Sequence, residues 1–469
     1  MQIVVVGNGA VGMMIAWEVL SRLPEARVTL VAPQARTGCA SAAAAAMFNS
    51  FAELDTGTLL NKLEKEKWQF NRLAAPRWPA LLGRLKEESK CAIHAGFGTF
   101  VINNHVSDEL EDRNFDAILE ALKLLDEPHE QVSPAAIPFY RPACRSRSTR
   151  AVFIPREGWV NPVDLLEALT IVLGNSGRMT WVDACCKRLE SDSRAVRAVV
   201  TDDERFLSGD AYVLAPGANF SQIVQSSRLD IGFPKVFYGV GCTILLNTGD
   251  NTLNHCVRTP NRGLACGVYA APRDPSHTVV GASNLISPVP TNHARATSVY
   301  TLLKSAIEQI NRDYYRAELE SINVGWRPTS EDTLPLIGRT AIENLFVATG
   351  TKRDGLHCSP LIAQCITDLI VGGEPPFCLD SFRPDRSPTR IYSRREAIET
   401  TVRQTINAAY QHDFVPAKNR MLEEMERFHR DDLEALHDQV GAIEWGIPPE
   451  MVSMYRYKHL PAASPRGGA

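Results

Sequence analysis

Several things are missing from this 469-residue sequence, and each absence removes a class of protein. There is no strong excess of one charge: 50 Lys and Arg stand against 54 Asp and Glu, for a formal net charge of -4. That balance points neither to a nucleic-acid surface nor to an anionic membrane. The eleven cysteines have no metal-ligand spacing, and the adjacent Cys185-Cys186 is not a CxxC pair. An odd number of thiols without a framework fits reduced cysteines and a cytoplasmic protein. No apolar run approaches the roughly 20 residues that span a bilayer. The apolar N-terminus lacks a basic leading region and a small-residue cleavage site, and Gly7, Gly9 and Gly12 interrupt it, so it reads as a strand and a buried helix rather than an export signal.

What remains is ordinary for a globular enzyme, with 44% hydrophobic and 22% charged residues. Residues 2–6 are continuous and β-branched, which predicts a buried strand ended by glycine. A helix over 13–23 stops at Pro24, and a second strand over 27–31 stops at Pro33. This is a βαβ unit with parallel strands and a right-handed crossover. Gly7-Asn-Gly-Ala-Val-Gly12 lies where the first strand turns into the helix, so it meets the context that the GxGxxG pattern requires. Gly7 permits the turn, Gly9 lets the backbone approach a pyrophosphate, and Gly12 lets helix and strand pack closely. The helix N-terminus then offers free N–H groups to the anion. The pattern also calls for an acid at the end of the second strand, on the ribose hydroxyls. Ala32 stands there, followed by Pro33 and Gln34. A backbone group or Gln34 substitutes, or the adenosine is held more weakly; no arginine sits immediately there to favour a 2′-phosphate.

Further along, residues 38–48 are alanine-rich, and small side chains leading into a helix suit close approach to a bulky ligand. Helices are predicted over 58–90 and 114–126, a strand over 97–103, and a helix opened by Pro162. Strands follow at 195–200 and 211–215. An antiparallel sheet is predicted over 236–284, with turns at 247–250 and 273–275. A helix over 293–312 leads to a loop at 325–330, a strand over 344–350 and a helix from Pro360. Past 387 strands disappear, charged helices run over 393–411 and 416–438, and residues 462–469 read as disordered. Met421, Met425, Phe428, Leu433 and Leu436 recur at helical spacing there. The stripe fits a cap on the protein's own body, or a homo-oligomer or protein-partner interface.

Taken in order, a series of segments resembles the D-amino-acid oxidase superfamily of FAD enzymes, and within it the glycine oxidase and sarcosine oxidase branch. They are the glycine turn, Gly38-Cys-Ala-Ser-Ala-Ala, Gly158-Trp-Val-Asn-Pro, Val213-Leu-Ala-Pro-Gly-Ala, Tyr269-Ala-Ala-Pro-Arg and Val279-Val-Gly-Ala-Ser. Gly325-Trp-Arg-Pro-Thr, Pro335-Leu-Ile-Gly, Ala348-Thr-Gly-Thr-Lys-Arg-Asp-Gly-Leu and Phe382-Arg-Pro-Asp-Arg386 follow. The resemblance covers about residues 1–386. It implies an α/β fold: a Rossmann-like FAD domain (1–50, 150–225, 325–386) interleaved with an antiparallel-sheet α+β substrate domain (51–149, 226–324). A helical C-terminal extension (387–469) lies outside it.

The resemblance also implies a reaction: hydride transfer from an amine carbon to flavin N5, imine hydrolysis and hydrogen peroxide release, with oxygen as acceptor. The substrate is a small amino acid or secondary amine bearing a carboxylate. The alternatives are an amine dehydrogenase passing electrons to a partner, or a non-catalytic flavin-binding subunit. Cofactor contacts are expected from Gly7, Gly9, Ala10, Val11, Gly12, Ala32, Pro33, Ser41, Ala42, Ala43, Met47, Cys186, Ala215 and Gly217. Arg353, Asp354, Gly355, Leu356 and His357 complete that set. Arg327 is the candidate carboxylate anchor, because a guanidinium binds a carboxylate through two parallel bonds. Tyr269 is expected beside the substrate, Asn284 adds polarity to the pocket, and Arg353 stabilises negative charge on the flavin. His357 is a neighbour of the site rather than a dedicated base. With no cysteine in 325–339 and no histidine in 33–50, the FAD is expected to be non-covalent.

Overall fold

The computed structural model describes residues 1–456 except 105, 107, 193, 264, 265, 412, 413 and 415–418. The tail at 462–469 therefore lies outside the described residues. The strand Gln2–Val6 carries no polar alternation because both its faces are covered, and Ile3, Val4 and Val5 are fully buried. It lies in a six-stranded sheet between Arg27–Val31 and Ala211–Leu214, parallel to both. Met179–Val182 extends one side and Leu345–Thr349 the other, with Leu336–Arg339 as an antiparallel edge. The helices Ala10–Arg22, Pro162–Asn175 and Gly355–Ile370 bury their apolar faces on one side of this sheet. Asn161 caps the second of these by accepting from Val163 N, directly before Pro162. The opposite face is covered by the small sheet Cys186–Ser191, Val196–Thr201, Phe206–Leu207 and the helix Phe220–Ser227.

The second sheet has nine strands. Val236–Asn247 is its spine, flanked on one side by Leu285–Ser287 and His277–Gly281 and on the other by Glu318–Ser330. Tyr269–Asp274, Cys256–Arg258, Ala95–Asn104, Ser148–Val160 and Glu130–Gln131 continue it. The antiparallel expectation for 236–284 holds, while Cys256–Arg258 joins Ala95–Asn104 in parallel and makes the sheet mixed.

Local pattern misled in four places. Residues 38–48 form turns rather than a lead into a helix, because their backbone is taken up by bridges to neighbouring strands. Cys39 pairs with Trp326 and Met47 with Trp159, and Phe48 N donates to Gly158 O at 2.7 Å. Residues 325–330 are the end of a thirteen-residue strand, not a loop: Arg327 sits opposite Gly239 in register. The helix expected from Pro360 begins at Gly355 and contains the proline. Proline leaves the carbonyl of Leu356 without its helical donor, and the Ser359 hydroxyl donates to it at 2.8 Å instead. The helix expected over 293–312 is α-helical only at Ala296–Ser305 and changes to π and 3₁₀ turns over 306–316.

The C-terminal extension folds back on the second sheet. Helices Arg394–Gln411 and Asn419–Val440 bury Ile398, Val402, Leu433 and Leu436 with Ile447, Met451 and Met454 against Phe237 and Ile286. The apolar stripe divides: its Leu433 end is buried, while Met421 and Phe428 are 46% and 67% exposed. Among the described residues no helix is long and apolar enough to cross a membrane.

Candidate active site

The first turn of the chain packs backbone directly on backbone. Gly7 has φ +115°, and an added Cβ would lie 2.1 Å from the carbonyl oxygen of Ala215. A Cβ on Gly12 would lie 2.0 Å from Gly7 O, so Gly12 permits close packing of helix on strand rather than ligand contact. Gly9 caps the helix without a side chain, and no acidic residue occupies the first turn. Ser41 Oγ accepts from Ala10 N at 3.0 Å, tying the alanine-rich segment to this helix end.

A cavity of about 790 Å³ runs from this turn to the second sheet. It gathers Gly7, Gly9, Ala10, Val11, Ala32, Pro33, Ser41, Ala43, Met47, Cys186, Ala215 and Gly217 with Tyr269, Arg327, Arg353, Asp354, Gly355, Leu356 and His357. Three expected residues are not in its wall. They are Gly12, Ala42, which packs on the helical core, and Asn284.

At the nucleotide end, Ala32 accepts a bond from Trp181 Nε1 at 2.9 Å through its carbonyl. Gln34 is exposed and outside the wall, so it does not replace the missing acid. The wall there contains Arg36, Cys185, Cys186 and Lys187 and no carboxylate; Glu53 and Asp354 are the acids of the whole lining. Arg36 was not foreseen. Its Nη2 donates to Thr170 Oγ1 at 3.0 Å, while its buried Nε has no partner. An arginine five residues past the end of the strand Arg27–Val31 carries no local signal that its side chain turns inward.

At the other end, Arg327 is held from behind. Its Nη1 donates to Ser283 O at 2.8 Å and to Asn284 Oδ1 at 3.3 Å, and among the described residues it meets no carboxylate. Asn284 thus orients the Arg327 guanidinium instead of lining the pocket. Gly241 makes room, since a Cβ there would lie 2.0 Å from Arg327 Nη1. Tyr269 is buried, and desolvation pushes its phenol well above the ordinary range, so it stays protonated and able to donate.

Arg353 lies 3.1 Å from Glu53, which also pairs with the fully buried Arg258. Burial pushes the Glu53 carboxyl up, but Arg258 and Arg353 hold it below its ordinary value, so it is ionised. Burial likewise opposes charge on Arg353, and Glu53 and Asp354 more than offset this. Glu53 was also missed, because a single glutamate in an apolar stretch looks like any surface acid. The segment carrying it is pinned by Glu157, whose Oε1 accepts from Ser50 N, Phe51 N and Ala52 N at 2.8, 2.6 and 3.1 Å.

His357 is 4% exposed, and burial lowers its pKa, so the ring is neutral. Its Nε2 lies 2.8 Å from the carbonyl of Asn71 and must donate to it, which fixes the tautomer and leaves a buried Nδ1 without a partner. The helix opened by Asp354 and Gly355 points a second uncapped N-terminus at the cavity. Two such helix ends, the open approach to Gly9, where an added Cβ would meet nothing closer than Ser41 Oγ at 3.4 Å, and the cation Arg353 fit a flavin dinucleotide. Among the described residues no cluster of metal ligands competes with that reading.

The DAO model, described as FAD dependent oxidoreductase, matches residues 2–369. The chain belongs to this family. It is therefore an FAD-dependent oxidoreductase, of the amine and amino-acid oxidase type. Glycine oxidase of Geobacillus kaustophilus (strain HTA426) is 24% identical over 382 residues, spanning 81% of this chain and 95% of that one. The solved glycine oxidase from Geobacillus kaustophilus superposes with a TM-score of 0.70 at 22% identity, over 82% of this oxidoreductase and 98% of that chain. Iminodiacetate oxidase from Chelativorans sp. BNC1 gives a TM-score of 0.69 at 19% identity, over 82% and 100%. These likenesses show a shared fold. The family match ends before the C-terminal helices of this FAD-dependent oxidoreductase begin.

Proposed function

We propose that this enzyme oxidises a small amino acid or secondary amine carrying a carboxylate, releasing an imine for hydrolysis and returning the electrons to oxygen as hydrogen peroxide. The observation that carries the proposal is the charge at the substrate end of the cavity. Arg353 is answered by Glu53 and Lys352 by Glu450, whereas Arg327 meets no carboxylate among the described residues. The similarity to a glycine oxidase supports a small carboxylated amine, and the iminodiacetate oxidase, named for an amine with two carboxylates, supports a carboxylated amine without fixing the number of carboxylates. When bound, FAD supplies a two-electron acceptor at N5.

The protein's part is orientation and charge. Ser283 and Asn284 occupy Nη1 of Arg327, so the Nε and Nη2 edge is left to bind a carboxylate through parallel bonds. Holding that fork fixed before binding would orient the amine carbon toward a bound flavin at little further entropic cost. Tyr269 donates to the substrate from the same wall. No residue is required to remove a proton if the amine binds neutral, and His357, with Nε2 committed to Asn71 O, is not placed to do so. Arg353 and the N-terminus at Gly355 line the cavity and would offer positive charge to a reduced flavin.

The test is a screen of carboxylated and uncarboxylated amines for anaerobic bleaching of the flavin spectrum, followed by admission of oxygen. Bleaching by carboxylated amines with rapid recovery is expected. Failure of every carboxylated amine to bleach the flavin refutes the proposal, and bleaching without recovery in oxygen makes the enzyme a dehydrogenase.

A further inference from the structure

The C-terminal extension is absent from the family match, and among the described residues it contributes nothing to the cavity wall, which ends at His357. It nevertheless reaches the wall from behind. Lys352, a wall residue, lies between the anchor strand and the helix Gly355–Ile370: its N–H donates to Pro328 O at 2.8 Å, and its φ is +50°. Its ammonium is paired with Glu450, in the single turn Pro449–Met451 of the extension. The two side chains are only 18% and 22% exposed, so the pair is poorly screened by solvent. The Glu64–Lys67 pair of the helix Lys62–Ala74, at 3.3 Å, belongs to the same cluster: Lys67 and Lys352 both act on Glu64, and Glu450 acts on Lys67. A second tie runs from Asn407 Oδ1 to Gly263 N at 2.9 Å, on the loop leading to the wall residue Cys266.

Without Glu450, Lys352 would add a second cation without a carboxylate partner, besides Arg327, at the substrate end among the described residues, directly after Thr351 in the wall and next to Arg353. We propose that Glu450 determines specificity: by neutralising and holding Lys352 it keeps the substrate end selective for amines with one carboxylate over amines with two. This rests on the reading of Arg327 as the carboxylate anchor. Glu450 touches neither substrate nor cofactor and acts through Lys352.

The experiment compares the full-length holoprotein with its Glu450→Gln, Lys352→Met and double variants, titrating each with acetate and with malonate and following the flavin spectrum or binding heat. In Glu450→Gln the affinity for malonate relative to acetate should rise about threefold to tenfold at low salt, the size expected of one unscreened charge near a protein surface. Flavin content should be unchanged. The double variant should match Lys352→Met alone, because the released lysine is gone. A purely structural role would change both anions alike. A ratio within twofold of wild type in Glu450→Gln, or a rise that persists in the double variant, overturns the proposal while leaving the anchor intact. If wild type binds neither anion, the anchor reading itself has failed and this proposal falls with it.

Discussion

Replacing Glu157 tests how the cavity wall is held together. The side chain is 2% exposed, and its Oε1 accepts three backbone N–H groups from the segment that delivers Glu53 to Arg353. Glu157→Ala strands those three donors in the interior. At about 1–3 kcal/mol for each unsatisfied group, less what an entering water restores, the loss should be about 3–5 kcal/mol. Glu157→Gln keeps the accepting oxygen and should cost less at neutral pH. The two variants also differ with pH. Desolvation raises the Glu157 carboxyl to about 7 from its ordinary 4.5, although the three N–H groups pull it down. A raised folded pKa means that the stabilising contribution is complete below about 4.5 and is lost as pH climbs through about 7. Wild type should therefore lose about 2.5 kcal/mol relative to Glu157→Gln between pH 5 and pH 8. Urea unfolding of the holoprotein at several pH values, followed by tryptophan fluorescence and flavin release, measures both effects. A difference between wild type and Glu157→Gln that does not move with pH, or an alanine variant as stable as the glutamine one, would refute the reasoning.

Other outcomes follow from the same geometry. Arg327→Ala should raise the substrate concentration needed for flavin reduction by more than tenfold, in line with roughly 2–5 kcal/mol for a desolvated charge pair. A smaller change would remove Arg327 from the anchor role. Gly7→Ala forces a Cβ to within 2.1 Å of Ala215 O at φ +115°, so the purified protein should lack the flavin spectrum; a normal flavin content would sink the assignment of the turn. Acid precipitation should leave all flavin in the supernatant. Flavin in the pellet would mean a covalent link and would direct attention to Cys266 in the wall.

Much of the site was legible because it is encoded over short stretches. The β-branched run at 2–6, the glycines at 7, 9 and 12 and the proline after Asn161 each act on their immediate neighbours, so their meaning survives without tertiary context. Arg327, Tyr269 and Arg353 were found through flanking motifs, and the cavity does bring them together. Their local setting was harder to read. Gly325-Trp-Arg-Pro looks like a loop by composition, and only its pairing with Val236–Asn247 makes it a strand.

The glycine turn, the family likeness, the acid missing at Ala32 and the helical character past 387 can all be read along the chain. Which charge neutralises which emerges from the folded arrangement. Glu53 finds Arg258 and Arg353, Glu157 finds the 50–52 backbone, and Glu450 finds Lys352. Ion pairs and buried acceptors join residues far apart in the chain, where no spacing or periodicity links the partners. A lone charged side chain reads the same whether it faces water or closes a cavity, and the fold alone settles which.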